Sequence, residues 1–361
     1  MAPVLRTASI VLRGAAGAVA ISRLARAATV AAPVRPTLTP AATISVVIPA
    51  RDEATRIRPL LDAVVDALGV SEVLVVDDQS SDDTAAIAAA AGARVVSGTQ
   101  LPEGWAGKAW ALQQGVEAAG GDWVVTLDAD TRPDRRLPTA LVARAIGERL
   151  DLVTIGGRFD CPTPGSRWLH PAMLTTLVYR FGPPGAAATA PDRTMANGQC
   201  MAFERQRFLD AGGMSLVSGQ VVEDIALARR LAGDGRRVGF LDGSDMLSVR
   251  MFESFGDVWT GWGRSLALPG VEPRSRQRVD LAVVLLAQTL PMLRLLTGRA
   301  DLVDAVLLLA RVGTLRGTRA AYDRGGLAYW LSPLADPIAA AAIAGGVARR
   351  GRQTWRGRTY T

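Results

Sequence analysis

Short apolar runs alternate with segments of helical periodicity between residues 43 and 127. Ile44–Pro49 is a mostly apolar run of strand length, and Ala54–Leu68 repeats apolar residues at the spacing of one helix face. The alternation continues, and it predicts strands at Val73–Asp78, Arg94–Ser97 and Trp123–Leu127 and helices after Ser81 and over Gly107–Ala119. Such an alternation predicts an α/β fold with a doubly wound, mostly parallel sheet.

The regularity weakens after a strand predicted at Leu152–Ile155. Arg167–Phe181 has the pattern of an amphipathic helix. The next segment, Gly182–Asn197, is rich in Gly, Pro and Ala, and we expect a mobile loop over a site. A shorter α/β stretch follows, with strands predicted at Gln199–Phe203 and Arg237–Leu241 and helices at Asp224–Ala232 and Glu253–Leu268.

Apolar segments lie at both ends of the chain. Ser9–Val30 is Ala-rich, and its uncharged run is too short for a secretory signal, so an interfacial helix and a poor transmembrane helix both stay open. Near the other end, Leu281–Leu296 and Ala328–Ala348 approach bilayer length, while Leu302–Leu315 is shorter. We expect membrane contact, with a buried helical bundle as the alternative.

These segments divide the chain into three predicted parts. Residues 1–42 form an apolar and basic segment that ends in a proline-rich linker, residues 43–270 form the α/β domain, and residues 271–361 form membrane-associated helices and a basic tail. Three crossings from a cytosolic domain would place the arginines of Arg349–Arg358 on the far side, against the positive-inside rule. An even number of crossings resolves that conflict.

Charge, histidine and cysteine content indicate which partners and which kinds of catalytic site to expect. The formal charge is +7, but few aromatic residues accompany the basic ones, which favours an anionic membrane surface over nucleic acid. His170 is the single histidine, which argues against a His-based metal site and a Ser-His-Asp triad. Cys161 and Cys200 form no disulfide framework, so we expect a reducing compartment.

Two carboxylates follow the strand predicted at Trp123–Leu127. Asp128 and Asp130 form a DxD pair at the carboxyl end of that strand, where open α/β sheets bind ligands. Mg²⁺ or Mn²⁺ needs only one or two protein carboxylates when water and phosphate oxygens complete its shell. The pair therefore predicts a divalent metal that holds a diphosphate.

Other acidic residues follow predicted strands in the same way. Asp52 and Glu53 come after the first strand and Asp78 after the second, while Asp224 precedes a later helix. Because parallel strands end at one edge of a sheet, the acids that follow strands can converge on one crevice. The segment Pro49–Glu53 contains no glycine, which excludes a dinucleotide-binding Gly-x-Gly-x-x-Gly turn.

Four segments carry a specific resemblance. Val47–Glu53, Val75–Thr84, Leu127–Asp130 and Val222–Leu231 resemble, in this order, the motifs of family 2 glycosyltransferases of the GT-A type over about residues 43–270. The resemblance implies a nucleotide-sugar donor, UDP-glucose, and a single inverting displacement at the anomeric carbon.

The resemblance also implies roles for individual residues. Asp128 would lie beside the ribose and diphosphate and share the metal with Asp130, and Asp224 would be the general base. The uridine would be surrounded by Pro49, Arg51, Glu53 and Asp78.

Simpler alternatives stay open for these residues. Arg51 and Glu53 could form a salt bridge that shapes the loop, and Asp224 could be an N-cap. Asp82 and Asp83 are expected to cap the helix after Ser81.

The segment Leu101–Trp110 indicates one group within this family. It resembles membrane-associated members of the diaponeurosporenoate type, which glycosylate carotenoid acids or hopanoids. Lys108, the single lysine of the chain, is predicted near a helix N-terminus, where it could meet a phosphate. The alternative is a solvated lysine between packed Trp105 and Trp110.

The acceptor side is predicted from two segments. Asn197–Phe203 resembles the family's stretch beside the donor sugar and acceptor, which assigns Asn197 and Gln199. The segment Trp259–Arg264 lacks the Gln-x-x-Arg-Trp of processive synthases, so we expect one sugar per acceptor, with Trp262 and Arg264 at the acceptor mouth. The surrounding helix could instead be an interfacial strap.

These observations predict a membrane-bound glycosyltransferase with a lipid acceptor such as a carotenoid, hopanoid or polyprenyl phosphate, no nucleic-acid partner, and a cytoplasmic catalytic domain. A sugar-phosphate nucleotidyltransferase and an inactive membrane-bound binding module are the alternatives.

Overall fold

The structure is a computed structural model that describes residues 2–39, 41–348, 353–355 and 358–360. Its α-helices are α1 (Ala2–Ala25), α2 (Arg58–Val64), α3 (Thr84–Ala90), α4 (Gly107–Ala118), α5 (Leu137–Glu148), α6 (Pro164–Phe181), α7 (Arg205–Asp210), α8 (Glu223–Gly233), α9 (Phe255–Ser265), α10 (Arg274–Val283), α11 (Leu290–Leu296), α12 (Leu302–Thr318), α13 (Leu327–Trp330) and α14 (Asp336–Ala348). Its strands are β1 (Ile44–Ala50), β2 (Val70–Asp77), β3 (Arg94–Ser97), β4 (Trp123–Leu127), β5 (Thr131–Pro133), β6 (Leu152–Gly156), β7 (Arg158–Phe159), β8 (Cys200–Glu204), β9 (Val238–Asp242), β10 (Leu247–Val249), β11 (Gln353–Trp355) and β12 (Arg358–Tyr360).

The chain forms two compact units. The helical unit comprises Met1–Val30, Asp160–Ala186 and Phe252–Arg352, and the sheet unit comprises Ala31–Phe159, Ala187–Met251 and Gln353–Thr361. Segments 160–186 and 252–270, predicted within the α/β domain, therefore belong to the helical unit. The functional division at 42/43 and 270/271 stays a prediction. Pro40 of the predicted linker and the tail arginines at 349, 350, 352 and 356 lie outside the described residues.

The sheet unit is built on a seven-stranded sheet in the order β3-β2-β1-β4-β8-β6-β9. Strand β8 is antiparallel to both of its neighbours, β4 and β6, and the other pairings are parallel. The predicted doubly wound, mostly parallel sheet is confirmed. Because β1, β2 and β4 are parallel neighbours, the acids that follow them meet at one edge.

Burial explains why these segments form strands. Six of the seven residues of β1 and all five of β4 are buried, as expected for central strands covered on both faces. Leu60, Leu61 and Val64 of α2 pack into the same apolar core as Val46 and Ile48 of β1.

Some elements differ from the prediction. The helix predicted over Ala54–Leu68 is too long at both ends, because α2 covers only Arg58–Val64. The backbone N–H groups of Arg56 and Ile57 both donate to the Glu53 carbonyl, which makes a turn before the helix. Helix α5 and the three-stranded sheet β5-β10-β7 were not predicted.

The helical unit contains the apolar segments of both ends of the chain. The segment predicted at Leu281–Leu296 is one continuous helical stretch, in which a π-helical segment, Val284–Thr289, joins α10 to α11. The segment predicted at Ala328–Ala348 is divided near Pro333, as expected for a helix-breaking residue. Among the described residues, Val4–Thr29 and Arg274–Leu296 are long and apolar enough to cross a membrane, and Ser332–Ala348 is apolar but shorter.

Candidate active site

The loops after β1 and β2 are bound to each other at the carboxyl edge of the sheet. The Asp78 N–H donates to the Ala50 carbonyl at 2.8 Å. Arg51 Nη1 donates to the Asp78 carbonyl at 3.0 Å and lies 3.6 Å from Asp78 Oδ2. Asp52 adopts a left-handed backbone at φ 52°, which is uncommon for a residue other than glycine. The structure thus brings together Arg51 and Asp78, as predicted for a uridine site, and Pro49 lies next to them near the end of β1.

Glu53 pairs with a residue that the sequence analysis did not name. Its Oε2 atom lies 2.9 Å from Arg56 Nε and 2.7 Å from Arg56 Nη2. The Glu53 N–H donates to Thr84 Oγ1 at 2.8 Å. Ion pairs thus join Arg51 to Asp78 and Glu53 to Arg56. The three-residue spacing of Glu53 and Arg56 could have signalled this pair.

Asp82 joins the same two loops. It accepts hydrogen bonds from the Ala54 N–H at 3.1 Å and from the Thr84 N–H at 3.0 Å. Asp83 is the residue before α3, but its side chain makes no capping hydrogen bond. Asp82 therefore binds the N–H of the first helical residue, and Asp83 occupies the N-cap position without a side-chain hydrogen bond.

The DxD pair lies directly after β4. The Asp128 N–H donates to the Gln199 carbonyl at 3.0 Å, so the end of β4 is fixed against the segment that precedes β8. Asp130 is nearly inaccessible at Oδ1, and this oxygen has no hydrogen-bond partner. Burial raises the pKa of Asp130, and Glu53 adds to this rise while Arg56 opposes it. Asp130 therefore lies near the Glu53–Arg56 pair.

An unsatisfied buried carboxylate oxygen is expensive unless something binds it. Asp130 Oδ1 thus fits a metal ligand. The described residues contain no group of three His, Cys, Asp or Glu side chains placed to hold a metal ion. A metal here would depend on Asp130 and Asp128 with water and phosphate oxygens, which is the usual manner of Mg²⁺.

Lys108 lies in the first turn of α4 and is enclosed by carboxylates. Its Nζ atom is 2.8 Å from Asp128 Oδ1, 2.9 Å from Asp128 Oδ2 and 3.0 Å from Glu223 Oε1. Burial disfavours the ammonium, but Asp128 and Glu223 outweigh it and hold the Lys108 pKa above its ordinary value. The alternative of a solvated lysine is wrong, because this side chain is only 19% exposed. Trp105 and Trp110 do pack, edge to face with centroids 5.0 Å apart.

Asp224 lies inside the first turn of α8 rather than at its N-cap, which is Val222. Its Oδ2 accepts the Gly198 N–H at 2.7 Å, and its Oδ1 accepts the Ile225 N–H at 2.8 Å. Burial raises the Asp224 pKa to about 6, and the negative charge of Glu223 adds to the rise. The N-cap alternative is therefore wrong, and the carboxylate is poised for proton transfer near neutral pH.

Gly198 lies between Lys108 and Asp224, and it was not predicted from the sequence. A Cβ at this position would lie 3.1 Å from Lys108 Nζ and 3.2 Å from Asp224 Cβ. Such contacts are tighter than ordinary side-chain packing, so the approach of Lys108 and Asp224 depends on glycine.

Asn197 and Gln199, the residues predicted on the acceptor side, bind each other. Asn197 Nδ2 donates to Gln199 Oε1 at 2.8 Å, and the Gln199 N–H donates to Asn197 Oδ1 at 3.1 Å. Trp262 and Arg264 belong to α9 of the helical unit, where the Trp262 ring lies edge to face against His170. Their position at an acceptor mouth stays a prediction.

A mostly parallel sheet with a DxD pair after a central strand and further acids after its neighbours defines the GT-A class of fold. Residues 45–211 match the family model described as glycosyl transferase family 2. Residues 45–211 thus match a family 2 glycosyltransferase domain, which confirms the resemblance found in the sequence.

Two relatives differ in the reaction that their names describe. The 4,4'-diaponeurosporenoate glycosyltransferase of Staphylococcus haemolyticus (strain JCSC1435) is 25% identical over 232 residues, which are 62% of this chain and 61% of that protein. The glucosyl-3-phosphoglycerate synthase of Mycolicibacterium paratuberculosis (strain ATCC BAA-968 / K-10) is 49% identical over 94 residues, which are 24% of this chain and 28% of that protein. The chain therefore spans less than two thirds of either relative.

Among solved structures, glucosyl-3-phosphoglycerate synthase of Mycobacterium tuberculosis is similar to part of this chain. Its complex with Mn²⁺, UDP and glucosyl-3-phosphoglycerate has a TM-score of 0.43 at 25% identity, with 63% of this chain and 78% of that chain covered.

Proposed function

We propose that this chain is an inverting glycosyltransferase that moves a sugar from a nucleoside-diphosphate sugar, UDP-glucose, to a hydrophobic acceptor in the cell membrane, with the catalytic part on the cytoplasmic side. The observation that carries the proposal is the arrangement around Lys108. One ammonium contacts Asp128, the residue proposed for the donor, and Glu223, the neighbour of the proposed base Asp224. Donor and base functions are thereby assigned to one cluster of the sheet unit, within the catalytic region that we propose for residues 43–270.

In this mechanism Asp224 removes the proton of an acceptor that arrives protonated, either a hydroxyl or the un-ionised form of an acid. The acceptor oxygen then attacks the anomeric carbon and forms the new glycosidic bond. The bond from that carbon to the diphosphate oxygen breaks, and the nucleoside diphosphate leaves with the electron pair. Displacement from the opposite face inverts the anomeric configuration. Hydrogen bonds from the Gly198 and Ile225 N–H groups orient the Asp224 carboxylate for this proton transfer.

Donor binding is assigned to the loops after β1, β2 and β4. Arg51 and Asp78 offer a guanidinium and a carboxylate to the uridine, with Glu53 and Pro49 shaping its site. Asp128 lies beside the ribose and diphosphate, and Lys108 supplies a positive charge for the phosphates. Asp130 and Asp128 would hold Mg²⁺ or Mn²⁺, which when bound stabilises the negative charge of the leaving diphosphate.

The class of acceptor is proposed from the names of the relatives and from the apolar helices of the chain. The relative named for diaponeurosporenoate suggests a hydrophobic acid, and carotenoid, hopanoid and polyprenyl phosphate acceptors share an apolar body. The apolar helices of the chain support an acceptor of this kind. We assign Asn197, Gln199, Trp262 and Arg264 to the acceptor side. The relative named for phosphoglycerate makes a small anionic acceptor the competing assignment.

The test uses membranes that contain the full chain, with Mn²⁺ and UDP-glucose labelled in the sugar. We expect label in the lipid extract and release of UDP, and neither in membranes with Asp224→Asn. Label that enters added 3-phosphoglycerate instead would overturn the hydrophobic acceptor. Pyrophosphate release from UTP and glucose 1-phosphate would identify the nucleotidyltransferase alternative, and donor binding without any transfer would identify the inactive module.

A further inference from the structure

The helical unit combines buried ion pairs with large apolar side chains on its outside. Arg13, Asp304, Arg311 and Asp336 are buried to 1% exposure or less. Large apolar side chains of the same helices are exposed, such as Leu309 at 72%. In water, exposed apolar side chains forgo hydrophobic free energy and buried charges lose their hydration. Against lipid, apolar side chains favour the outer surface and charged side chains favour the interior of the unit.

Buried charges of the helical unit are held in ion pairs. Arg13 of α1 binds Asp301 through Nη1 at 3.0 Å and Nη2 at 2.7 Å, and it also binds Asp304. Arg294 of α11 binds Asp304 at 2.8 Å and Asp301 at 3.1 Å. Two cations and two anions therefore neutralise each other where α1, α11 and the start of α12 meet. We call these four residues the charge cluster.

Helix α1 packs through a stripe of small residues on the side of the charge cluster. Ala16, Gly17 and Ala20 are buried with Leu307 of α12, and a Cβ on Gly17 would lie 2.6 Å from Leu307 Cδ2. Small residues at a helix interface with large apolar residues outside are typical of helices in membranes. The outward positions of α1 are exposed and apolar, namely Val4, Leu5, Val11, Leu12, Val19 and Ile21.

Neighbouring helices continue this outer surface. Exposed apolar side chains of α11, α12 and α13 include Leu295, Leu296, Leu302, Leu309, Leu327 and Trp330. The stretches Val4–Thr29 and Arg274–Leu296 contain 26 and 23 residues, which correspond to about 35–40 Å of helix and exceed the roughly 30 Å of a bilayer core.

We propose that α1 is a permanent member of the helical unit, held to α11 and α12 by the charge cluster, and that the outer apolar surface of α1, α11 and α12 contacts the acyl chains of a bilayer. The proposal deepens the membrane placement in the proposed function but needs no transferase activity. It assigns a role to the first 30 residues, which the family match does not cover. A removed leader peptide, and a protein partner that covers the apolar surface, are the competing assignments.

The first experiment tests the lipid contact with spin labels. Cysteines replace Leu12, Leu309 or Arg58 one at a time in the full chain with Cys161→Ala and Cys200→Ala, in vesicles of phosphatidylethanolamine and phosphatidylglycerol. Arg58 is the matched control, because it is exposed in the sheet unit. We expect labels at 12 and 309 to collide with oxygen more than with a water-soluble nickel complex, and the label at 58 to show the opposite. Equal nickel access at all three positions would overturn the lipid contact, and no access for either reagent at 12 and 309 would indicate a protein cover and also overturn it.

The second experiment tests the association of α1 with α12. Gly17→Cys and Leu307→Cys are combined, linked by a short thiol-specific cross-linker, and the chain is cut at a protease site inserted after Leu38. We expect the α1 fragment to stay joined to the remainder. Gly14→Cys with Leu307→Cys is the control, because a Cβ at position 14 would meet no atom of another element within 4 Å and the pair should not cross-link. A mature chain that lacks α1, or a released fragment from the Gly17 pair, would overturn the proposal.

Neither readout uses sugar transfer. A chain that passes both experiments and transfers no sugar would contradict the proposed function and leave this inference standing.

Discussion

The two units of the chain differ in where they place paired charges and large apolar side chains. In the sheet unit the apolar residues of β1 and β2, such as Val46 and Leu74, are fully buried, and charged pairs such as Arg58–Asp62 are exposed. In the helical unit the Arg311–Asp336 pair is buried at 1% and 0% exposure, and Leu302 is 80% exposed. Composition alone therefore does not decide what becomes core, and we attribute the difference to the lipid that we propose around the helical unit.

The contrast changes what an ion pair contributes. An exposed pair such as Arg58–Asp62 stabilises a fold by only about 0–1 kcal/mol, since water screens both charges. Removal of one partner of a buried pair costs about 3–5 kcal/mol, because the remaining charge is left without compensation. We therefore expect the buried ion pairs of the helical unit to stabilise its assembly, and the buried charges around Lys108 in the sheet unit to take part in the proposed chemistry.

The largest expected effect is the loss of the proposed base. Asp224→Asn keeps the size of the side chain but removes the proton acceptor, so we expect transfer to fall by about 10²–10⁴-fold with donor affinity little changed. The measurement is kcat against KM for the donor. Asp62→Asn, an exposed carboxylate of the same unit, is the control. Weak donor binding with a normal kcat at saturation would contradict the base assignment.

The next effect concerns Asp130. Asp130→Asn should weaken Mn²⁺ binding in the presence of UDP by roughly 100-fold, since several kcal/mol of charge interaction are lost. Paramagnetic resonance of free Mn²⁺ measures this directly, apart from activity. Asp134→Asn is the control, because Asp134 pairs with Arg136 instead. Unchanged Mn²⁺ affinity in Asp130→Asn would remove the metal assignment.

The helical unit should respond strongly to a single change in the charge cluster. Arg13→Leu leaves Asp304 with Arg294 only, so we expect destabilisation near the lower end of about 3–5 kcal/mol. Thermal unfolding in detergent measures the effect. Arg6→Leu on the exposed part of α1 is the matched control and should change little. Equal unfolding temperatures for the two variants would show that the cluster does not hold α1.

A smaller effect is expected from pH. Asp224 has its pKa raised to about 6, and only its carboxylate form accepts a proton. Activity should therefore be full above about pH 7 and fall roughly tenfold per pH unit below 6. The pH dependence of kcat at saturating donor and Mn²⁺ measures this, and a flat profile from pH 5 to 8 would argue against Asp224 as the titrating base.

The sequence allowed prediction of those features of the fold that depend on local hydrophobic patterns. Strands β1, β2, β3 and β4 were predicted because buried parallel strands are short apolar runs, and the adjacency of Arg51 and Asp78 followed from the shared edge of the sheet. The reversed direction of β8 was not predicted, because strand direction depends on long-range pairing that a five-residue segment does not encode.

The contacts of Lys108 show a second limit. The sequence placed this lysine near a helix start, but its partners Asp128 and Glu223 lie 20 and 115 positions away in the chain, and a flexible side chain can meet either a phosphate or a carboxylate. The buried ion pairs of the helical unit were not predicted either, because hydropathy gives the length of an apolar helix but not which face turns inward.

The smallest expected effect separates the two kinds of surface most directly. Leu309 in α12 and Ile146 in α5 are both exposed apolar residues, one in each unit. If lipid covers α12, Leu309→Ser should weaken membrane retention by about 1–2 kcal/mol, because a buried leucine side chain contributes roughly that amount. Ile146→Ser should stay within about 0.5 kcal/mol, as is usual at a surface that faces water. The urea concentration that releases half of the protein from vesicles measures the difference. Since both substitutions remove a similar apolar group, an equal response would mean that the two surfaces face the same solvent, and the contrast between the units would then reflect packing alone.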